Sequence, residues 1–313
     1  MIPLLADVLI CPACLPEENE LVCQVSLESQ DDIVSGTLDC RSCGVQYPIS
    51  EGVAFLLPPS HDGEETVPSR YETPSLLSSY LWSHYADLCQ DPDAHPAYQE
   101  WANLMEARPG PFLDAGCAVG RFTFDMSRKY DFAVGIDNSA TFVRTARALR
   151  MNRGLKVEIA EEGRLTRPFH INLPGDMQPD KIDFIVADVT AIPFPADLFS
   201  GLATLNIVDK VPDPLLHLKE MDRVALGSGA RLIFSDPFSW TEEAADKALW
   251  LGGTGEGPHA GRGAPNVAAL LEGRDGHLSP AWEIERQGSV WWKIRNHANH
   301  FELIRSCFIK ARR

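Results

Sequence analysis

Residues 112–120 read Phe-Leu-Asp-Ala-Gly-Cys-Ala-Val-Gly. The apolar start predicts a buried strand over 112–115, and the residues that follow predict a helix near 121–129. Gly116 and Gly120 allow the backbone between strand and helix to turn tightly and to approach a ligand closely. In doubly wound α/β sheets, this first strand-to-helix turn is where a nucleotide binds. The stretch therefore predicts a nucleotide-type site.

Acidic residues at the strand ends narrow the choice of nucleotide. Asp137 ends the next predicted strand, where a carboxylate can accept hydrogen bonds from ribose hydroxyls. A dinucleotide fold expects G-x-G-x-x-G, but Ala118 occupies the second glycine position. Asp114 would repel a pyrophosphate, whereas it would attract the ammonium group of S-adenosylmethionine. Asp188 ends a third strand, where it can accept a hydrogen bond from an adenine amino group.

The spacing of these three acids resembles that of the class I S-adenosylmethionine-dependent methyltransferases. The resemblance implies that S-adenosyl-L-methionine is held by nine residues of the loop and the strand ends: Asp114, Gly116, Cys117, Gly120, Asp137, Asn138, Asp188, Val189 and Asn206. The alternative is a Rossmann-like domain in which the acids are incidental.

Strands and helices alternate after this motif, which implies a parallel sheet with right-handed crossovers. The periodicity predicts strands over 133–137, 183–187, 201–206, 230–236, 284–295 and 301–312. It also predicts helices near 77–88, 97–107, 139–151 and 212–226. Residues 155–181 interrupt the pattern and predict an inserted hairpin. The expected fold class is α/β, with a Rossmann-like, doubly wound, mostly parallel sheet whose last strand is antiparallel.

Four of the eight cysteines form two pairs, Cys11-x-x-Cys14 and Cys40-x-x-Cys43. Each pair places two thiolates on one tight turn, and two such turns facing each other form a tetrahedral sulfur site. With four thiolates and no open position, the predicted Zn²⁺ is structural. The alternative is two unrelated reduced pairs, and disulfides are disfavoured in a reducing compartment. We therefore expect a small β-rich zinc ribbon ahead of the α/β domain.

Residues 2–58 also resemble the zinc-ribbon proteins that activate tRNA and other methyltransferases, on the segments 9–14, 40–49 and 52–57. Residues 1–60 hold nine acidic side chains and a single basic one, Arg41, so RNA phosphates would be repelled. We expect a docking role for the ribbon, with a protein partner or self-association. The predicted organisation is a zinc ribbon at 1–58, a linker at 59–75 and a methyltransferase domain at 76–313.

Composition excludes several classes of protein. The 313 residues carry 28 Lys and Arg against 44 Asp and Glu, a formal net charge of −16, which argues against a protein that coats nucleic acid. The sequence contains no run of about 18 apolar residues, so it predicts no membrane-spanning helix. The apolar start lacks a basic region and contains Asp7, so it is a poor signal peptide. We expect a cytoplasmic protein.

A narrower resemblance covers residues 112–312. It is similar to the C-terminal mercaptohistidine N-methyltransferase domain of the ovothiol-biosynthesis enzyme, on the segments 113–124, 134–139, 206–214, 235–240, 250–253 and 293–295. The resemblance implies a small-molecule acceptor, an imidazole or thioimidazole amino acid that is methylated on nitrogen. The alternatives are an RNA guanine-base methyltransferase, a class in which an N-terminal zinc ribbon also occurs, and a non-enzymatic docking protein.

Three residues are candidates for handling the acceptor. Asn206 is expected to orient it, Asp209 to bind it or merely to cap a turn, and Arg295 to pair with its carboxylate. The alternative for Arg295 is a basic strand face that pairs with the acidic ribbon.

Two other stretches leave open alternatives. The glycine-rich segment 252–263 is either a lid or a disordered loop. The aromatic side chains Tyr80, Trp82 and Tyr85 either cap the cofactor or pack in the core.

Overall fold

The computed structural model describes residues 1–30, 32–59 and 70–313. The N-terminal part holds one short helix and four strands: α1 (Pro3–Ala6), β1 (Leu21–Ser29), β2 (Asp32–Cys40), β3 (Gln46–Ser50) and β4 (Val53–Leu56). Most of the predicted linker, 59–75, lies outside the described residues. Its described end contains a short 3₁₀ turn, Arg70–Glu72.

The remaining residues alternate between helices and strands. The first group is α2 (Pro74–Tyr85), α3 (Ala97–Leu104), β5 (Pro111–Ala115), α4 (Arg121–Met126), β6 (Phe132–Asp137), α5 (Ala140–Asn152), β7 (Gly154–Glu162) and β8 (Leu165–Asn172). The second group is β9 (Ile182–Ala187), β10 (Gly201–Leu205), α6 (Pro214–Val224), β11 (Arg231–Asp236), α7 (Gly263–Leu271), β12 (Glu283–His297) and β13 (His300–Arg312).

Local capping explains where the main helices begin. The Ser139 hydroxyl accepts a hydrogen bond from the Phe142 amide at 3.2 Å, which starts α5. The Asp213 carboxylate accepts one from the Leu216 amide at 2.9 Å, and Pro214 occupies the first turn of α6, where a missing N–H costs nothing. These helices and the strands beside them lie within a few residues of their predicted positions.

One continuous sheet of eleven strands organises the described residues, in the order β1-β2-β3-β4-β9-β6-β5-β10-β11-β13-β12. The strands from β4 to β11 in this order are parallel, whereas β13 is antiparallel to β11, as expected. The predicted insertion is the separate hairpin of β7 and β8. The fold is therefore a Rossmann-like α/β sheet extended at one edge by a small β-rich segment.

The ribbon (residues 1–58) joins the sheet directly. Phe55 and Leu56 of β4 pair in parallel with Val186 and Ala187 of β9. Apolar side chains of the ribbon belong to the same buried cluster as alternate residues of β5, β6 and β9, on one face of the sheet. The other face is covered by α2, α3 and α5. Successive side chains of a strand point to opposite faces of the sheet, so the apolar central strands contribute residues to the buried clusters on both faces.

The basic C-terminal strand lies far from the ribbon, at the opposite edge of the sheet. Lys310 pairs with Glu106, Arg312 with Glu283 and Arg313 with Asp222. The expected pairing of this strand with the acidic ribbon is therefore wrong, because the strand order places five strands between β4 and β13. Within the described residues, no helix has both the length and the apolar character needed to cross a bilayer.

Candidate cofactor cavity and metal centre

A cavity of about 260 Å³ opens at the carboxyl ends of β6, β9 and β10. Parallel strands commonly place a ligand at this edge, where the loops after successive strands converge. The lining includes loop residues after β5, β6, β9 and β10, and aromatic side chains from helices α2 and α3 and strand β12.

The glycine loop after β5 forms one wall. The amides of Gly116 and Cys117 both donate to the Ile136 carbonyl, at 2.8 and 2.9 Å, so the loop is held against the end of β6. Gly116 has φ +81°, and a Cβ there would collide with the Ile207 side chain. Glycine is therefore required at this position both by conformation and by space.

Asp137 anchors the opposite side of that loop. One carboxylate oxygen accepts the Ala118 amide at 2.9 Å, and the other accepts the Ser139 amide at 2.9 Å. Burial raises the pKa of Asp137 to about 6, although these two backbone hydrogen bonds oppose the shift. Asp188 accepts from both the amide and the hydroxyl of Thr190, each at 2.7 Å, which orients its carboxylate at the cavity.

The structure brings six of the nine predicted cofactor residues to the cavity: Gly116, Asp137, Asn138, Asp188, Val189 and Asn206. Asp114, Cys117 and Gly120 do not line the cavity. Asp114 accepts a hydrogen bond from the Thr123 hydroxyl at 2.7 Å, and burial raises its pKa to about 7. The Asp114 carboxyl therefore faces α4, which carries Thr123, and it holds the loop from the side away from the cavity.

The three acceptor candidates have different surroundings. Asn206 lines the cavity with φ +62°, and its side-chain oxygen accepts from the Ser306 hydroxyl at 2.7 Å. Asp209 is buried away from the cavity, where it accepts the Ser239 amide at 2.6 Å and pairs with Lys210 at 3.1 Å. Its interpretation as an acceptor-binding carboxylate is corrected to a turn carboxylate.

Arg295 binds residues of the inserted hairpin. Its guanidinium donates to the Ala160 carbonyl and pairs with Glu161, both on β7, and the side chain is buried. Because the inserted hairpin packs against β12, this arginine holds the hairpin and does not line the cavity. The proposed pairing with a substrate carboxylate is therefore not supported by its position.

An aromatic wall completes the cavity, and Tyr80 is the one residue of this wall for which the sequence suggested a contact with the cofactor. Its rings belong to Tyr71, Tyr80, His84, Tyr98, Phe142 and Trp292. Of the three aromatic residues considered from sequence, Tyr80 lines the cavity, whereas Trp82 and Tyr85 are core residues. The Tyr85 hydroxyl donates to the Val119 carbonyl at 2.7 Å, beneath the glycine loop. The four-residue spacing of Tyr80 and His84 on one helix face was the available signal.

His84 lies at the centre of this wall. Its Nε2 is 2.6 Å from the Tyr98 hydroxyl, and the two rings are 4.2 Å apart. Burial lowers the pKa of His84 well below its usual value, and the nearby Arg121 charge lowers it further. The imidazole is therefore neutral at neutral pH.

The glycine-rich segment 252–263 is folded and lies away from the cavity. The Gly253 amide donates to the Gly261 carbonyl at 2.7 Å, and the Asn266 side chain on α7 donates to the carbonyls of Leu251 and His259. None of its residues contributes to the lining. This arrangement supports neither a disordered loop nor a lid over the cavity.

The four predicted metal ligands lie together in the ribbon. The sulfur atoms of Cys11, Cys14, Cys40 and Cys43 are all within 4.8 Å of one another. The Cys11–Cys43 and Cys14–Cys40 sulfur distances are both 3.7 Å. A tetrahedral Zn²⁺ with bonds of about 2.3 Å requires sulfur separations of about 3.8 Å. The cluster therefore has the ligand type and the dimensions that Zn²⁺ needs.

Two segments match known protein families. Residues 113–234 match the family described as a methyltransferase domain. Residues 3–52, which include all four clustered cysteines, match the family of Trm112p-like proteins.

Individual similar proteins include ajmaline N-methyltransferase from Rauvolfia serpentina, which is 26% identical over 164 residues, 52% of this chain and 48% of that protein. The match thus spans about half the length of this relative.

Among solved structures, a complex between the Haloferax volcanii Trm112 methyltransferase activator and a putative methyltransferase is 13% identical. It covers 75% of this chain and 96% of that chain, with a TM-score of 0.43. An S-adenosylmethionine-dependent methyltransferase from Aquifex aeolicus is 15% identical and covers 77% of this chain and 93% of that chain, with a TM-score of 0.40. On the family matches, the chain joins a segment similar to the Trm112p-like proteins, whose four-cysteine cluster is compatible with zinc, to a segment that matches the methyltransferase domain family.

Proposed function

We propose that this protein is an S-adenosylmethionine-dependent methyltransferase that acts on a small molecule. The observation that carries the proposal is the convergence of Gly116, Asp137, Asp188 and Asn206 around one cavity, within the segment that matches the methyltransferase domain family. When bound, S-adenosylmethionine supplies an electrophilic methyl group attached to a sulfonium.

The residues of the cavity suit each part of that cofactor. Asp137 keeps lone pairs for ribose hydroxyls beyond the two amides that it accepts, and Asp188 stands where an adenine amino group can donate. Val189 and Leu205 offer apolar contact to a flat base. The glycine loop lies beside the amino-acid end of the cofactor in this proposal, because Gly116 lines the cavity and its lack of a side chain lets Ile207 pack against the loop.

For the acceptor, we propose a small planar heteroaromatic compound, with imidazole or thioimidazole amino acids as the first candidates. The aromatic wall supports this choice, since stacked or edge-on rings are favoured partners for a flat ring. Lys210 is the one lysine or arginine among the described lining residues. Together with the net charge of −16, this disfavours a polyanionic RNA substrate.

We further propose that the ribbon, with a structural Zn²⁺, serves as a scaffold whose first partner is the methyltransferase domain of the same chain. Its strand β4 extends the sheet beside β9, and Arg147 on α5 bridges Asp32 of the ribbon and Asp183 of β9. Four reduced thiolates at one site favour a reducing compartment such as the cytoplasm. The acidic surface of the ribbon makes it a poor site for RNA capture.

Two measurements test the function. Calorimetry of the zinc-loaded full chain should detect S-adenosylmethionine binding, and the absence of binding would remove the proposal. Incubation with labelled cofactor and a metabolite extract, with tRNA and rRNA fragments in parallel at low salt, should transfer label to a small molecule. Methylated RNA without any methylated small molecule would favour the alternative, an RNA guanine-base methyltransferase.

A further inference from the structure

The 3₁₀ turn Arg70–Glu72, here called the strap, lies at the end of the predicted linker and directly precedes helix α2. Its central residue, Tyr71, lines the cavity and is partly buried, so part of its surface is open to a bound molecule. The residues that the sequence assigned to the cofactor all lie further along the chain, from 114 onward. The strap is therefore a side of the cavity without an assigned role.

Glu72 fixes the strap to the start of helix α5. Its carboxylate accepts hydrogen bonds from the Thr141 amide, at 3.1 Å, and from the Thr141 hydroxyl. The first N–H groups of a helix have no partner within the helix, and the helix dipole also stabilises a carboxylate there. Burial raises the pKa of Glu72, but hydrogen bonds from Thr141 and its neighbours outweigh it and lower the pKa below its ordinary value. Glu72 is therefore ionised at neutral pH.

A second contact connects the strap to Asp137. The Ser139 hydroxyl donates to the Tyr71 carbonyl at 3.3 Å, and the Ser139 amide donates to the Asp137 carboxylate at 2.9 Å. One residue thus bridges Tyr71 and the carboxylate that the proposed function assigns to the ribose hydroxyls. Tyr71 therefore lies beside the ribose end of the cavity.

Two helices hold the ring of Tyr71 in place. The ring packs edge-on against Phe142 of α5, with centroids 6.0 Å apart, and edge-on against Tyr80 of α2, with centroids 6.2 Å apart. Both of these partners line the cavity as well. A ring that is already fixed loses little conformational freedom when a ligand binds, which favours affinity.

We propose, on the basis of the proposed function, that Tyr71 contacts the adenosine part of S-adenosylmethionine and that Glu72 is the positioning residue for Tyr71. In that function Asp137 and Asp188 bind the ribose and the adenine, and Tyr71 stands next to the first of them. Its phenol ring offers an aromatic surface to a nucleoside, whose base is flat and apolar on its faces. The acceptor is left with the remaining rings of the aromatic wall.

The test uses the zinc-loaded full chain and three ligands. S-adenosylmethionine and S-adenosylhomocysteine carry an amino-acid end, whereas 5′-methylthioadenosine has the adenosine part without that end. Calorimetry measures the Kd of each ligand for the wild type, Tyr71→Ala, Tyr71→Phe, Glu72→Ala and Glu72→Gln. Glu100→Ala is the matched control, because Glu100 is an exposed acid in the first turn of α3 and does not line the cavity.

We expect Tyr71→Ala to weaken the binding of all three ligands by about tenfold, because the ring contacts the part that they share. Tyr71→Phe keeps the ring and should retain more affinity than Tyr71→Ala. Glu72→Ala should weaken the binding of all three ligands by about fivefold, since it releases the strap from α5. Glu72→Gln keeps an oxygen for Thr141 and should lose less affinity than Glu72→Ala. Glu100→Ala should match the wild type.

Three results would overturn the inference, each in a variant whose fold is checked by circular dichroism. The first is an unchanged Kd for all three ligands in Tyr71→Ala. The second is a loss confined to the two ligands with an amino-acid end, which would place Tyr71 at that end of the cofactor. The third is a Glu72→Ala protein with wild-type affinities, which would remove the positioning role. A wild type that binds none of the three ligands would instead remove the proposed function. Because two positions are tested, failure of one variant to fold leaves the other as the test.

Discussion

Replacing Arg147 should separate the ribbon energetically from the rest of the protein. This arginine on α5 pairs with Asp183 of β9 at 2.8 Å and with Asp32 of the ribbon, and it also donates to the Glu51 carbonyl. Its side chain is 6% exposed, that of Asp183 is 0% and that of Asp32 is 10%. Arg147→Ala therefore leaves two carboxylates in a buried place without their main cation.

The magnitude follows from that burial. Removing one partner of a buried ion pair costs about 3–5 kcal/mol, because the other charge stays uncompensated. Two features moderate the loss. Asp183 keeps hydrogen bonds from the amides of Ile2 and Phe184, at 2.6 and 2.8 Å. Asp32 keeps the N-terminal ammonium of Met1 at 3.0 Å and Arg150 at 3.6 Å. We expect a loss of about 3 kcal/mol, at the lower end of the range.

Arg144, one turn earlier on the same helix, provides the matched control. It pairs with Glu51 at 3.4 Å, but the two side chains are 48% and 76% exposed. A solvent-exposed pair contributes at most about 1 kcal/mol. Arg144→Ala should therefore change stability little, although it also removes a basic side chain from the same edge of the ribbon.

The assay is urea unfolding followed by circular dichroism, with equal zinc loading in all proteins. The midpoint of Arg147→Ala should fall by about 1 M, and that of Arg144→Ala by much less. The midpoint of Arg147→Lys should lie between those of the wild type and Arg147→Ala, because an ammonium cannot bridge two carboxylates as a guanidinium does. Equal midpoints for the two alanine variants would refute the argument that Arg147 holds the ribbon.

The pH dependence supplies a second check on the same variant. Burial raises the pKa of Asp32, but hydrogen bonding and charge, first from Arg147 and then from the N-terminal ammonium of Met1, together outweigh it and lower the pKa below 3.8. A lowered pKa in the folded state means that this stabilisation is present above the unfolded pKa of about 3.9 and is lost as the pH falls through the folded value. The stability difference between wild type and Arg147→Ala should therefore shrink from pH 7 towards pH 3.

Three further predictions concern the cavity and the metal. Asp137→Asn should weaken S-adenosylmethionine binding at least tenfold by calorimetry, because it removes about 1.5–3 kcal/mol of charge-assisted hydrogen bonding. Burial raises the pKa of Asp137 to about 6, so the affinity of the wild type should also fall as the pH drops below 6. An affinity that does not change with pH would contradict the assignment. Gly116→Ala should abolish binding in a folded protein, since the added methyl collides with Ile207 at a φ of +81°; unchanged affinity would show that the loop does not contact the cofactor. Metal analysis should find one zinc per chain, and Cys14→Ser should release it and lower the unfolding midpoint; a folded, reduced preparation without zinc would rule out the metal centre.

Much of this architecture was accessible from the sequence because its signals are local. The glycine loop over 112–120 needs a tight turn between a buried strand and a helix, and both patterns are visible along the chain. Asp137 and Asp188 follow apolar strands, and parallel strands bring their carboxyl ends to one edge. The four cysteines carry their geometry in their spacing. Each of these predictions depends on residues close together in sequence.

The predictions that were wrong depend on residues far apart in sequence. Arg295 and Asp209 looked like free charged groups, but partners from a distant hairpin and a distant turn occupy them. Charge alone does not reveal whether another segment already neutralises it. The pairing expected between the C-terminal strand and the ribbon failed for the same reason, since strand order is not visible in periodicity.

The aromatic wall shows most clearly what the sequence alone does not determine. His84, Tyr98 and Trp292 come from α2, α3 and β12, more than 200 residues apart at the extremes, and each alone resembles an ordinary core residue. The local pattern determined which residues are apolar or aromatic and where the strands end. Only the packing of these two helices and of strand β12 determined which rings face the cavity. Such a wall depends on tertiary packing, because it requires side chains distant in sequence to meet within a few ångströms.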